Sequence, residues 1–358
     1  MSRLHELKIK KIKSETPYAK VVTFDIPEDL KSDFKYIPGQ YITVEVEVDG
    51  KKERRAYSLC SSPVMDDDLS VGVKKVEMGK VSGYINDEAK EGESIRVMPP
   101  MGNFTVNTDS TRKKHYVLLG GGSGITPLMS IIRTVLVQEP NSRVTLFYAN
   151  RDEESIMFKS VLDELENKYP ERLEIFHSLD RTTVDWVINK GYLTRDILQT
   201  LLKNKLPAAP QDFDYYICGP TPLMSIIDEA LEALQIPEKQ IHKEFFTAKL
   251  KTEEKKEERE VSDSPLDSAE IHLTVDGEDY DFEYKGEDSL LEAALDNDID
   301  APYACQVGAC CTCRAKVFEG KVVMADRESL SDEEIDEGYV LTCQSKPLTP
   351  KVIYTYDE

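Results

Sequence analysis

The chain has 358 residues, 40% of them hydrophobic, which is material for two or three cores of ordinary size rather than one. Its formal net charge of −22 excludes a phosphate-backbone binder, because a nucleic-acid partner needs a clustered basic face to displace counterions. No window approaches the roughly 18 apolar residues of a membrane span, so the expectation is a soluble, cytoplasmic protein without a membrane partner.

From Glu6 to about Asn107 the chain reads as short alternating strands, Tyr41 to Val48, Leu69 to Val76 and Ser94 to Met98 among them. Pro-Gly, Asp-Gly and Pro-Pro-Met-Gly punctuate them as turns, and the spacing predicts an antiparallel barrel over residues 1–110. At His115 the rhythm changes to buried strands followed by amphipathic helices. Tyr116 to Leu119 precedes a glycine loop and a helix near Thr126 to Val137; Val144 to Ala149 and Tyr215 to Cys218 are further buried strands. Residues 111–247 therefore read as an α/β domain with a doubly wound parallel sheet. Residues 248–268 carry seven acidic and five basic side chains and almost nothing apolar, the composition of a solvated linker, helical in part or not. Beyond it, Ile271 to Val275 and Asp279 to Tyr284 predict a hairpin about an Asp-Gly turn, and Leu290 to Asn297 a short helix, within an α+β unit spanning residues 269–358.

Charge is unevenly spread over these segments. Residues 1–247 hold 38 acidic against 33 basic side chains, a net −5, whereas residues 269–358 hold 22 against 7, a net −15. Two readings stand: solvation of a small module, or steering toward a basic partner.

Four of the seven cysteines fall between Cys305 and Cys313, too tight for a disulfide framework and suited to metal or cluster ligation in a reducing compartment. Cys305, Cys310 and Cys313 are spaced C-x4-C-x2-C, and 29 residues separate Cys313 from Cys343. That is the spacing of a plant-type [2Fe–2S] site, in which two irons and two bridging sulfides need four thiolates. One loop supplies three of them, and Cys343 is expected to close the site from a separate strand. The competing zinc reading is weak, since only Cys310 with Cys313 forms the paired knuckle that zinc favours. Cys311 is left over, as a small packing residue. The run from Pro302 to Gly320, with Leu341-Thr342-Cys343-Gln344, resembles a plant-type ferredoxin domain, and the resemblance implies a β-grasp fold with a one-electron cluster.

Arg55-Ala56-Tyr57-Ser58 ends a barrel strand. It is preceded by Pro38-Gly39-Gln40-Tyr41 and followed by Gly79-Lys80-Val81-Ser82 and Pro100-Met101-Gly102-Asn103-Phe104. This ordered set resembles the flavin domain of the ferredoxin-NADP reductase superfamily. The resemblance implies that Arg55 meets a pyrophosphate, that Tyr57 lies against the isoalloxazine and that Ser58 stands near flavin N5. It also implies that Gly79 to Ser82 close on the phosphates through backbone amides and a hydroxyl. Ala56 and Lys74 are counted with this cofactor-binding set. Gly79 to Ser82 match the family's pyrophosphate segment and favour FAD, although relatives that carry FMN share the Arg-x-Tyr-Ser.

Leu118 to Pro127 (LeuLeuGlyGlyGlySerGlyIleThrPro) joins a buried strand to a helix and so turns amides and a helix amino terminus toward an anion. The loop resembles that of the same superfamily, which implies that Gly121, Gly122, Ser123, Gly124 and Thr126 bind the pyrophosphate of NADPH or NADH. Cys218-Gly219-Pro220 matches the family's segment against the nicotinamide, and Glu244-Phe245-Phe246 its closing Glu-x-Phe. Phe246 is then expected over the flavin, and Ser58, Cys218 and Glu244 are the expected catalytic residues. Arg151 can pair with a 2′-phosphate, whereas Asp152, Glu153 and Glu154 would repel one, so the reading leans only slightly to NADPH.

The order flavin, nicotinamide, ferredoxin resembles the reductase components of multicomponent oxygenases, those of the phenylacetyl-CoA epoxidase and ketosteroid hydroxylase kinds included. It implies an NAD(P)H oxidoreductase that passes electrons through FAD and a [2Fe–2S] cluster to an oxygenase or other one-electron protein acceptor. The alternatives are a reductase for a Rieske-type oxygenase or a hybrid-cluster protein, and a ferredoxin carrier without flavin activity.

Overall fold

The computed structural model describes residues 4–66, 68–246, 264–327 and 329–358. Apart from residues 5 and 54–56, its first two sheets form one compact unit (6–53 and 57–246), and its last two belong to a second.

The first sheet holds β1 (His5–Thr16), β2 (Ala19–Asp25), β3 (Tyr41–Val48), β4 (Lys51–Ser58), β5 (Leu69–Lys74) and β6 (Ser94–Met101), in the order β4-β3-β6-β1-β2-β5. An antiparallel bridge from Leu59, just past β4, to Val71 on β5 joins the two edges, so the sheet closes as the barrel that the strand rhythm predicts. Alternation sends Leu7, Ile9, Val22, Phe24, Ile42, Val44, Val71, Val73 and Val97 into one core.

Two details differ from the sequence reading. Helix α1 (Lys80–Asp87) follows β5, which ends at Lys74 rather than Val76; Val81 and Ile85, four apart, seal the barrel core. Strand β6 runs on through Pro99 and Pro100, where the sequence predicts a turn. Its register with β3 slips between Tyr41 and Thr43, paired with Met101 and Met98, so the prolines sit in an irregularity that asks for no ladder donor.

The second sheet takes β7 (His115–Gly121), α2 (Ile125–Gln138), β8 (Arg143–Asn150), α3 (Lys159–Lys168), β9 (Leu173–Leu179), β10 (Asn189–Lys190), α4 (Arg195–Lys205), β11 (Asp214–Gly219), α5 (Thr221–Ala233) and β12 (Ile241–Phe245). Its order is β10-β9-β8-β7-β11-β12, and every pair is parallel. The chain runs outward from β7 on one side and returns on the other through β11. The reversal of strand order therefore lies at the carboxyl ends of β7 and β11, where open parallel sheets bind ligands.

Barrel and sheet share a core: Ala19, Cys60 and Phe104 pack with Ile131, Ile132 and Val135 of α2. Polar ties reinforce it, with Arg133 on Asp66 at 2.7 Å and Ser62 with Thr134 at 2.9 Å. Glu139, fully buried past α2, accepts from the Tyr116 hydroxyl (2.9 Å), the Ser142 hydroxyl (2.7 Å) and the Asp109 amide (3.1 Å), and pairs with Arg112 at 3.1 Å. Those partners satisfy a carboxylate that would be costly to bury alone.

In the second unit β13 (Ala269–Val275), β14 (Glu278–Tyr284), α6 (Leu290–Asp296), β15 (Arg314–Glu319), β16 (Val322–Met324), α7 (Asp332–Asp336), β17 (Tyr339–Leu341), β18 (Ser345–Pro347) and β19 (Lys351–Thr355) follow in order. The main sheet is β14-β13-β19-β15-β17, with β13 and β19 parallel and the other pairs antiparallel; β16 and β18 pair apart. This mixed sheet with Leu290, Leu291 and Ala294 of α6 in its core is the expected β-grasp.

Most of the predicted linker lies outside the described residues. Its last part does not read as a tether: the Leu266 amide donates to the Pro347 carbonyl at 2.9 Å, which places it on the second unit. No helix among the described residues is long and apolar enough to cross a membrane.

Candidate functional site

On β4 the strand period puts Glu53, Arg55 and Tyr57 on one face and Arg54, Ala56 and Ser58 on the other. Arg55 is exposed and also donates to the Arg54 carbonyl at 2.6 Å, Tyr57 leans on the barrel core, and Ser58 is buried. Lys80 forms an ion pair with Glu53, which brings the start of α1 beside the face that carries Arg55 and Tyr57. Gly79 is the N-cap of α1, without a side-chain cap or an acid in the first turn, so amides and the helix dipole are left for an anion there. The expected use of side chains needs adjusting. Val81 is core, and the Ser82 hydroxyl accepts from the Val76 amide at 3.1 Å and donates to the Gly79 carbonyl at 3.3 Å. Val81 and Ser82 thus offer backbone amides, while the hydroxyl shapes the turn.

The glycine loop is a 3-10 turn, Gly122–Gly124, between β7 and α2. A β-carbon on Gly124 would stand 2.0 Å from the Cys218 carbonyl oxygen, so only glycine lets the loop rest on the end of β11. The Thr126 hydroxyl donates to the Ser123 carbonyl at 3.0 Å, and the Tyr148 hydroxyl to the Gly122 carbonyl at 2.9 Å; both hold the loop from beneath. The amino end of α2 has no side-chain cap and no acid in its first turn. Sequence motifs far apart thus meet at the switch point.

Beside that loop opens a cleft of about 810 Å³, within the size range of nucleotide sites. Gly121, Gly122, Arg151 and Pro220 line it, and Lys74, counted with the flavin set, stands beside them. Ser123, Gly124, Thr126, Cys218 and Gly219 stand around the loop rather than on the cleft wall. Tyr18, Lys75, Asp180 and Tyr192 also line the cleft and had no motif to mark them. Burial, then the neighbouring Arg151 charge, hold Lys74 below the usual lysine range, with Asp152 opposing. Two cations crowded into one cleft are best relieved by an anion between them. The acids expected to repel a 2′-phosphate are partly occupied. Asp152 accepts from the Ser155 amide at 3.0 Å in a capping box, and Glu153 from the Thr182 hydroxyl.

Cys218 is fully buried, and Glu244 lies opposite it in the register of β11 with β12. Burial first, and the Glu244 charge second, push its thiol well up, so it stays neutral. Phe246 follows β12 and is 38% exposed.

In the second unit the four cysteines contact one another in two pairs, Cys305 with Cys310 and Cys313 with Cys343. Two thiolates for each of two irons is the division a [2Fe–2S] cluster asks for. The Cys305 sulfur accepts from the Val307 amide at 3.4 Å and the Cys310 amide at 3.3 Å. The Cys310 contact first, and these amides after it, lower the Cys305 thiol against the cost of burial, while the same contact raises that of Cys310. Cys343 comes from a 3-10 turn, Thr342–Gln344, rather than from a strand as expected. Cys311 points away, its thiol donating to the Ser329 carbonyl at 2.9 Å.

Comparison with known proteins agrees with these three regions. Residues 6–106 match the family described as oxidoreductase FAD-binding domain, 118–229 the oxidoreductase NAD-binding domain and 273–348 the 2Fe-2S iron-sulfur cluster binding domain. The chain is 37% identical over 358 residues to a subunit of 1,2-phenylacetyl-CoA epoxidase from Escherichia coli (strain K12), covering 100% of this chain and 99% of that one. It is 35% identical over 353 residues to the ferredoxin reductase component of 3-ketosteroid-9-alpha-monooxygenase from Rhodococcus rhodochrous, covering 97% and 95%. Among solved structures, phthalate dioxygenase reductase matches in fold with a TM-score of 0.58 at 22% identity, covering 98% of both chains. The chain belongs to the ferredoxin-NADP reductase superfamily, in the branch with a carboxy-terminal [2Fe–2S] domain, and is an NAD(P)H-dependent electron-transfer flavoprotein.

Proposed function

We propose that this reductase delivers electrons to a multicomponent oxygenase of the phenylacetyl-CoA epoxidase kind in the cytoplasm. The observation that carries the reading is the end-to-end match, at 37% identity, to a component of that epoxidase in Escherichia coli. The comparable match to ketosteroid monooxygenase reductases supports a second reading, a reductase serving a steroid-attacking oxygenase.

The domain limits that fit this function are 1–110 for FAD, 111–247 for NAD(P)H, and 269–358 for the cluster, with 248–268 between. Bound flavin supplies the exchange of a two-electron hydride for single electrons. The chain's own residues bind and orient. Arg55 and the amino end of α1 hold the pyrophosphate of FAD, Tyr57 gives its ring an aromatic face, and Ser58 offers a buried hydroxyl beside it. Gly121 to Thr126 seat the coenzyme pyrophosphate on the start of α2. Lys74 and Arg151 hold its negative charge and favour NADPH. Cys218 and Glu244 shape the nicotinamide end, where Phe246 gives way to the incoming ring. Cys305, Cys310, Cys313 and Cys343 hold the cluster.

Reconstitution tests the partner. The purified, cluster-loaded reductase is combined with the oxygenase components of a phenylacetyl-CoA epoxidase, NADPH and phenylacetyl-CoA, and product is measured against coenzyme consumed. Coupled turnover is expected. Coupling to a ketosteroid oxygenase instead would give the place to the second reading.

A further inference from the structure

Cys343 is the cluster cysteine outside the 305–313 loop, and the next side chain bends back over it. Gln344 Nε2 lies 3.0 Å from the Cys343 carbonyl oxygen, 3.5 Å from Cys343 Sγ and 3.5 Å from the Gln306 carbonyl oxygen. All three neighbours are acceptors, so the end of the amide that faces them is its NH2 group. Its two hydrogens serve both sides of the site, one toward Cys343 and one toward the cysteine loop.

The loop is shaped to receive this side chain. Gln306 takes a left-handed backbone, φ 57°, as does Gly308, φ 76°. A β-carbon at Gly308 would stand 3.2 Å from Gln344 Cγ, so the loop packs against the glutamine stem. The Gln344 carbonyl accepts from the Ala325 amide at 2.9 Å, which anchors the residue from behind.

An N–H donor aimed at a ligand sulfur favours the form of the cluster with more negative charge, which is the reduced one. We propose that Gln344 is a positioning residue for the cluster: its amide, oriented between Cys343 and the cysteine loop, raises the reduction potential through its bond to the Cys343 sulfur. The proposal rests on the assignment of the four cysteines as cluster ligands.

The test uses the full-length holoprotein in an anaerobic redox titration followed by electron paramagnetic resonance. Gln344→Leu keeps the bulk and removes the donor; Gln344→Ser removes the reach without adding an apolar group. In each, the equilibrium for reducing the cluster is expected to fall about tenfold, which for a one-electron couple is about 59 mV, while the flavin midpoint stays in place. Cluster-bearing variants that titrate with the parent overturn the proposal. Loss of the cluster from both variants overturns it too, because the role assigned is tuning and not retention. A parent protein that contains no iron would sink the four-cysteine assignment itself.

Discussion

The glycine loop at 121–126 and the cysteine loop at 305–313 do similar work by different means. In the function proposed above, each turns backbone amides toward negative charge, phosphate in one case and sulfur in the other. The glycine loop is held by what lies beneath it: Gly124 rests on the Cys218 carbonyl, and Tyr148 and Thr126 bond its carbonyls. The cysteine loop is held from outside by later parts of the chain. Ser329 donates to the Gly308 carbonyl at 2.7 Å, and Gln344 reaches over from the fourth ligand. The first loop is therefore seated on strands of its sheet, β8 and β11, whereas the second is held by irregular segments, the turn at Ser329 and the 3-10 turn that carries Gln344.

The largest effect should come from removing a cysteine ligand. Cys310→Ser is expected to cut reduction of one-electron protein acceptors by about a hundredfold or more, of the order a disrupted metal shell costs, while anaerobic bleaching of the flavin by NAD(P)H continues. Loss of both steps would contradict the order of electron flow. Next is Gly124→Ala, which drives a methyl group into backbone that cannot yield. A loss of about 3 kcal/mol is expected in urea unfolding of the larger unit, and unchanged stability would show that the glycine loop is not seated as described. Arg151→Ala should raise KM for NADPH about tenfold, the worth of a charge-assisted hydrogen bond, and that for NADH by less than about twofold. Equal effects on both coenzymes would remove the argument for NADPH.

The smallest effect reaches only the sheet beneath the glycine loop, where the His177 ring lies 5.8 Å from that of Tyr148. Burial lowers His177 from 6.5 to about 4, so the folded chain refuses a proton that the unfolded chain accepts. Its contribution is complete above about pH 6.5 and declines as pH falls toward 4. His177→Phe should flatten that part of the stability profile, read from urea midpoints at a series of pH values. A slope identical to the parent's would place the acid sensitivity elsewhere.

Local pattern explains what was legible beforehand. The cysteine spacing, the buried run at Tyr116 to Leu119 and the Asp276-Gly277 turn are signals carried by neighbouring residues. Helix α1 was not legible, since it is short, contains Gly83 and follows strands that set a contrary expectation. Pro99 and Pro100 read as a stop, and their tolerance depends on a register slip in another strand. Lys75, Asp180 and Tyr192 come to the cleft from three separate connections, so no spacing announces them. Ser82 stands at the α1 turn as its motif implies, but its hydroxyl is already engaged by Val76, a partner that only folding supplies.

The core shared by Ala19, Cys60, Phe104 and helix α2 carries a consequence for traffic through the enzyme. Barrel and parallel sheet are welded by that core and by the Arg133–Asp66 pair across it, so the proposed coenzyme groove has no jaws to open. In the reading proposed above, arrival and departure are then gated at the rim, by side chains such as Tyr18 and Tyr192 that line the cleft. Turnover in this unit should accordingly respond to the bulk of those rim residues far more than to solvent viscosity.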